Sequence, residues 1–298
     1  MIEIRGQLRC ALPESVRIEE GEGGLPLLHV RNSHAECSIY VHGAHVVSFR
    51  PRGGADLLWL SPHGLFREGS PIRGGIPICF PWFGARKGRN DLPLHGLVRT
   101  EPWNIESAEI LADGRTRIAF SVENGEPPPE AWPHRFRLEL SVTVGEVLEM
   151  ALSVQNPENL PILCEDGFHT YFRVEDPGQC EVTELDGIEY MDRTKGDSRA
   201  VQEGPARFEG EMVHAFMHVP PVLELVDGDR RIRIEQEGMY SAVLWNPGER
   251  AGAANPEIRD AWKQFVCVES TNCLDCRLEI PAQGYHRSLL RLSSAGAC

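Results

Sequence analysis

Between residues 136 and 156 the chain alternates strictly: Leu138, Leu140, Val142 and Val144 are separated by polar residues, Gly145-Glu146 follows, and Leu148, Met150, Leu152 and Val154 alternate again. A period of two puts every apolar side chain on one face of an extended strand, and a Gly-containing break between two such runs predicts a β-hairpin. Leu223 and Leu225, then Asp227-Gly228, then Ile232 and Ile234 predict a second hairpin by the same logic. A third follows from Asp113-Gly114 before Ile118, Phe120 and Val122. The 29 glycines and 22 prolines supply the many turns that a large antiparallel sandwich needs. Only Pro256 to Lys263 reads as a helix, a short one, and Gly125-Glu126-Pro127-Pro128-Pro129 reads as a loop between strands rather than a domain boundary. The expectation is one all-β domain spanning residues 1–298, built as a large antiparallel β-sandwich.

A formal net charge of −14 argues against nucleic acid as a partner, since binding a phosphate backbone requires broad positive surface. No apolar run approaches membrane-spanning length, and Met1-Ile2-Glu3-Ile4-Arg5 lacks the basic start and apolar stretch of a secretory signal. A cytoplasmic monomer with no membrane partner is the expectation. The nine cysteines are scattered without a disulfide framework, and Cys273-Leu274-Asp275-Cys276 has no second CxxC pair to complete a structural zinc site. They read as reduced thiols, with no metal.

Five segments carry potential chemistry. Pro71 to Gly84 crowds glycine, proline and aromatic residues around Arg73 without strand or helix periodicity, and His95-Gly96-Leu97-Val98-Arg99 follows it. Such a segment is better suited to a pocket wall than to a core element. From residue 73 to 99 the chain carries Arg73, Arg86, Lys87, Arg89 and Arg99 against one acid, Asp91. Arg86, Lys87 and Arg89 read as a solvated loop. Arg73 and Arg99, which have no obvious carboxylate nearby in sequence, read as a bidentate clamp for a small anion such as phosphate. In Phe168-His169-Thr170-Tyr171-Phe172, His169 taken alone is a core histidine. Glu269 ends the apolar run Phe265-Val266-Cys267-Val268, where either a catalytic or a solvated carboxylate can sit. Trp245, in Leu244-Trp245-Asn246-Pro247, either stacks on a sugar or caps the core.

Taken together, and in this order, RGGIPxxFPxFG, HGxxR, HTYF, WNP and CxE resemble the glucose-6-phosphate 1-epimerase (hexose-6-phosphate mutarotase) branch of the aldose 1-epimerase family, from about Gly43 to Asn272. The resemblance implies a galactose mutarotase-like β-sandwich that interconverts the α and β anomers of an aldohexose 6-phosphate without cofactor or metal. It assigns Glu269 as base and His169 as acid; a protonated His169 needs a pKa near the working pH, for which a nearby carboxylate such as Glu165 or Asp166 is the candidate. Arg73, His95, Arg99 and Trp245 bind the sugar phosphate. Leu94 and Val213 stand where the family pattern has Gln and Asp, with Glu211 or His214 as candidate substitutes, which leaves the identity of the hexose open. A sugar-phosphate binding protein on the same fold is the alternative. A glycoside hydrolase ranks last, because the motifs supply one carboxylate and one histidine rather than two flanking carboxylates.

Overall fold

The computed structural model describes residues 8–126 and 128–295; Met1 to Arg5, Pro127 and Cys298, all used in the readings above, lie outside them. The alternating apolar runs form strands as expected. Leu138 to Val154 is the hairpin Arg137–Val144 and Leu148–Gln155. The other two are Val222–Asp227 with Arg230–Glu237 and Asn104–Ile110 with Thr116–Glu123. All three hairpins belong to one nine-stranded antiparallel sheet. An eight-stranded sheet runs Ser198–Val201, Glu189–Asp192, Met212–Met217, Ser241–Asn246, Phe265–Asn272, Asp166–Phe168 and Ile78–Cys79, with Tyr171–Arg173 also on Phe265–Asn272. Val16–Glu20, Pro26–Arg31, Ala35–Tyr40 and His45–Pro51 make a four-stranded meander.

Leu138, Leu140 and Leu152 of the larger sheet share one apolar cluster with Phe168, Phe216, Leu244, Val266 and Val268 of the eight-stranded sheet. Each of these side chains is almost fully buried, at roughly 1.5–3 kcal/mol of transfer free energy apiece. This is sandwich packing, the inner faces of two sheets meeting in a common core. Strand alternation then sends Phe265, Cys267 and Glu269 to the other face of the same sheet, yet every residue of Phe265–Asn272 is buried. Something covers that outer face. Part of the cover is the segment after Asn246, where Ile258, Ala261 and Trp262 pack with Trp59, Tyr171, Phe265 and Cys267.

In that cover the expected helix is displaced. The α-helix lies at Gly248–Ala254, and Arg259–Gln264 winds as a 3-10 helix instead. Pro256 explains the break, because proline pushes the residue before it out of helical space; Asn255 sits at ψ 116, extended.

The irregular Pro71–Gly84 stretch is threaded tightly beside that outer face. Tyr171 donates its backbone N–H to Gly75 O, and Gly75 donates to Trp59 O. Gly96 packs against this stretch with no room to spare: its φ is +83, and a Cβ there would lie 1.9 Å from Phe80 O. Gly96→Ala therefore combines left-handed strain with a backbone clash, and an expected loss on the order of 2–4 kcal/mol is measurable by denaturant titration.

Candidate active site

Two short strands, Asp166–Phe168 and Tyr171–Arg173, pair with Phe265–Asn272 in one register, Phe168 with Ser270 and Tyr171 with Cys267. That register sets residue 169 directly opposite residue 269. The ladder itself is interrupted there, since His169 donates its backbone N–H to Pro77 O and Thr170 to Phe168 O. The interruption leaves two side chains facing each other on the outer face of the sheet, His169 Nδ1 3.4 Å from Glu269 Oε1. Both residues are buried, at 4% and 1% exposure, and neither His169 Nδ1 nor Glu269 Oε2 has a hydrogen-bond partner.

Burial drives the two groups toward neutrality from opposite directions. It pushes the Glu269 carboxyl well above the usual range, against the opposing pull of Arg99. It pushes the His169 imidazole well below its ordinary value, and the neighbouring His95 ring with the Arg99 and Arg73 guanidinium groups adds to that. Neither Glu165 nor Asp166 is the carboxylate that serves His169. Glu165 accepts the backbone N–H groups of Phe83 and Leu274. Asp166 accepts from Asn272 Nδ2 and Ser288 Oγ, clasping the strand end from behind. The carboxylate beside His169 is Glu269 itself.

His95 reaches the same place from its own loop, its ring centroid 4.9 Å from that of His169. Its φ of +64 is a conformation that non-glycine residues rarely adopt. Gly84 donates its N–H to His95 Nδ1 at 3.2 Å, which places the ring proton on Nε2 and makes that nitrogen a donor. Burial, with Arg99 and Arg73 nearby, lowers the His95 pKa and keeps the ring neutral. Trp245 lies edge-on to both His169 and Tyr171, with centroids 5.9 and 5.8 Å away, so it walls the site while also packing on the Phe265 cluster.

The two arginines differ in a way that sequence spacing does not reveal. Arg73 is already engaged, donating to Tyr171 Oη and to Glu257 Oε2, each at 3.1 Å. Glu257 is 184 positions away in sequence, so the free guanidinium expected from local composition is instead half of an ion pair. Arg99 is buried, and among the described residues no ion pair or side-chain hydrogen bond engages it. Burial lowers its pKa, which marks a cation held without a matching anion. Arg86 lies over the Trp82 and Trp132 rings, and Arg89 is paired with Asp91, so both belong to the loop as expected.

Val213 pairs with Trp245 and so shares its face, while His214 pairs with Leu244, faces the other way and approaches Asp192 at 3.4 Å. Glu211 faces solvent near Arg250. Neither residue takes the place of the carboxylate missing at Val213.

The chain resembles other proteins in sequence and in fold. Residues 26–276 match the aldose 1-epimerase family. The chain belongs to that family. A relative from Cenchrus ciliaris, provisionally named a glucose-6-phosphate 1-epimerase, is 30% identical over 88% of this chain and 82% of its own. One from Escherichia coli K12 with the same provisional name is 30% identical over 83% of each. A Salmonella typhimurium crystal structure, provisionally assigned as the mutarotase YeaD, superposes with a TM-score of 0.87 at 26% identity over 96% of both chains. The epimerase is thus an isomerase of sugar anomers on the sandwich fold that the motifs imply. Tyr171, Glu257 and Cys267 border the candidate site and were passed over by the sequence reading. Tyr171 and Cys267 lie inside HTYF and CxE and were there to be found, whereas nothing in the sequence points to Glu257.

Proposed function

We propose that the epimerase interconverts the anomers of a hexose 6-phosphate, glucose 6-phosphate foremost, with Glu269 and His169 moving one proton between them through the substrate. The observation that carries this is the facing pair at 3.4 Å whose pKa values are displaced in opposite directions. Between those two limits the pair holds one proton. Ring opening uses it without loss. Glu269 takes the proton of the anomeric hydroxyl while His169 gives one to the ring oxygen, and the C1–O5 bond breaks to leave an aldehyde. Rotation about C1–C2 turns the aldehyde face, and the same two transfers run backward to close the ring as the other anomer. The pair starts as carboxylate and imidazolium, ends as carboxyl and imidazole, and never exchanges a proton with solvent. Burial favours the second arrangement in the empty site, so the sugar must draw the proton across to His169. Each transfer of this kind contributes about 10²–10⁴-fold in rate. In this reading His95 Nε2–H donates to a sugar oxygen, and the unmatched Arg99 is the best-suited partner for a phosphate. Tyr171, stacked flat on His169 with centroids 4.8 Å apart, holds the imidazole plane. The eight described cysteines are all free thiols, which suits an enzyme of the reducing cytoplasm. No helix among the described residues is long and apolar enough to cross a membrane.

The substrate assignment is tested by following anomerisation of glucose, galactose and mannose, each with and without the 6-phosphate. A clear kcat/KM advantage for one phosphorylated hexose is the expected result, and equal use of free and phosphorylated sugars overturns it. The shared proton has its own signature in pH. Acid adds a second proton only far below the ordinary imidazole value of 6.5, because His169 is depressed, and this abolishes the base. Alkali removes the single proton only well above the ordinary carboxyl value of 4.5, because Glu269 is raised, and this abolishes the acid. With an uncharged sugar, kcat/KM should show no acid limb at pH 6.5; one centred there contradicts the pairing.

A further inference from the structure

We infer that Cys267 makes the catalytic pair a binding site for a thiophilic divalent ion, Zn²⁺ being the natural probe, and that the ion and the sugar exclude each other. Cys267 and Glu269 are two apart on one strand and share its outer face, and the register sets His169 across from Glu269. The result is a buried tripod in which Cys267 Sγ, His169 Nδ1 and a Glu269 oxygen all lie within 4.8 Å of one another. The Nδ1 to Oε1 separation of 3.4 Å equals the edge of a tetrahedron built on bonds of about 2.1 Å, the usual zinc–nitrogen and zinc–oxygen length. Sulfur has only to approach by roughly 1 Å to complete the third corner.

Two further observations point the same way. His169 Nδ1 is a buried polar atom without a partner, and coordination would satisfy a ligand that is otherwise left bare. The donor set of thiolate, imidazole and carboxylate suits Zn²⁺ and disfavours Mg²⁺ and Ca²⁺, which select oxygen. Arg99 and Arg73 set a positive potential that opposes a dication. Proton release answers it: the empty tripod is neutral as thiol, carboxyl and imidazole, and Zn²⁺ on thiolate, carboxylate and imidazole is neutral too. Two protons leave for each ion that enters, so affinity should rise about a hundredfold per pH unit while both acids are protonated.

An ion so held occupies the lone pairs that catalysis uses, and turnover stops. That consequence rests on Glu269 and His169 being the acid–base pair; the binding itself does not. The test is calorimetric titration of the intact, metal-free chain with Zn²⁺, repeated with Co²⁺ and read by its thiolate charge-transfer absorption. One ion per chain, two protons released and loss of affinity in the presence of saturating glucose 6-phosphate are expected. Cys267→Ala should weaken the ion by about a hundredfold or more and abolish the Co²⁺ thiolate band, and whatever anomerisation the chelator-treated variant retains should resist zinc. Zinc that binds Cys267→Ala as well as the parent chain, or whose affinity follows Cys276→Ala instead, overturns the site. Zinc dependent on Cys267 that leaves turnover intact retains the site and refutes the exclusion, and with it the catalytic assignment of the pair.

Discussion

Glu269→Gln is expected to lower the rate of anomerisation by about two orders of magnitude or more while leaving thermal stability unchanged or raised. The rate falls because glutamine keeps the shape of the side chain and cannot accept the anomeric proton, removing one of two transfers each worth roughly 10²–10⁴-fold. Stability holds for the opposite reason. The carboxyl is 1% exposed and one of its oxygens has no partner, so the fold gains nothing from its charge and bears the cost of its burial. Functional groups placed against the interest of stability commonly behave this way. Substrate binding should change little, so the loss appears in kcat. Stopped-flow or polarimetric assay of the purified variant, with calorimetric melting alongside, separates the two effects. A folded variant that turns over at the parent rate removes Glu269 as the base.

The second large effect distinguishes Arg99 from Arg73. Arg99→Ala removes a buried guanidinium that no carboxylate matches, so the protein should lose little stability or gain some. Its use of a 6-phosphate should fall by about 1.5–3 kcal/mol, the scale of a hydrogen bond to a charged group, or roughly ten- to a hundred-and-fifty-fold in kcat/KM. Free sugar should be affected far less. Arg73→Ala acts differently, because it strands Glu257 and removes the donor to Tyr171. Its cost in stability should approach, without reaching, the roughly 3–5 kcal/mol of breaking a fully buried pair, since a fifth of the Arg73 side chain is exposed. Activity toward phosphorylated and free sugars should fall together. The readings are kcat/KM for glucose 6-phosphate and glucose, and Tm, for both variants. A phosphate-selective loss in Arg73→Ala with none in Arg99→Ala reverses the assignment.

The sequence by itself determined the sheets. Period-two alternation at Leu138 to Val154, or at Leu223 to Ile234, is a local property, and burying one face of such a segment admits few solutions other than a β-sandwich. It also marked the segments that meet at the site, because glycines such as Gly96 are required wherever backbone must pass within contact of backbone. Local signals failed where the physics is not local. Proline at position 256 moved the helix to Gly248–Ala254, a competition between neighbouring segments that composition blurs. The partners of the charged groups were invisible. Glu165 and Asp166, next to His169 in sequence, spend their carboxylates on backbone and on the strand behind, while Glu269 and Glu257, far away in sequence, supply the charges that matter. Strand register brought His169 opposite Glu269, and chain crossing brought Glu257 to Arg73. Only the tertiary structure could decide which arginine remained unmatched, because Coulomb interaction and desolvation depend on distance in space and on depth below the surface, and neither is written in the spacing of residues along the chain.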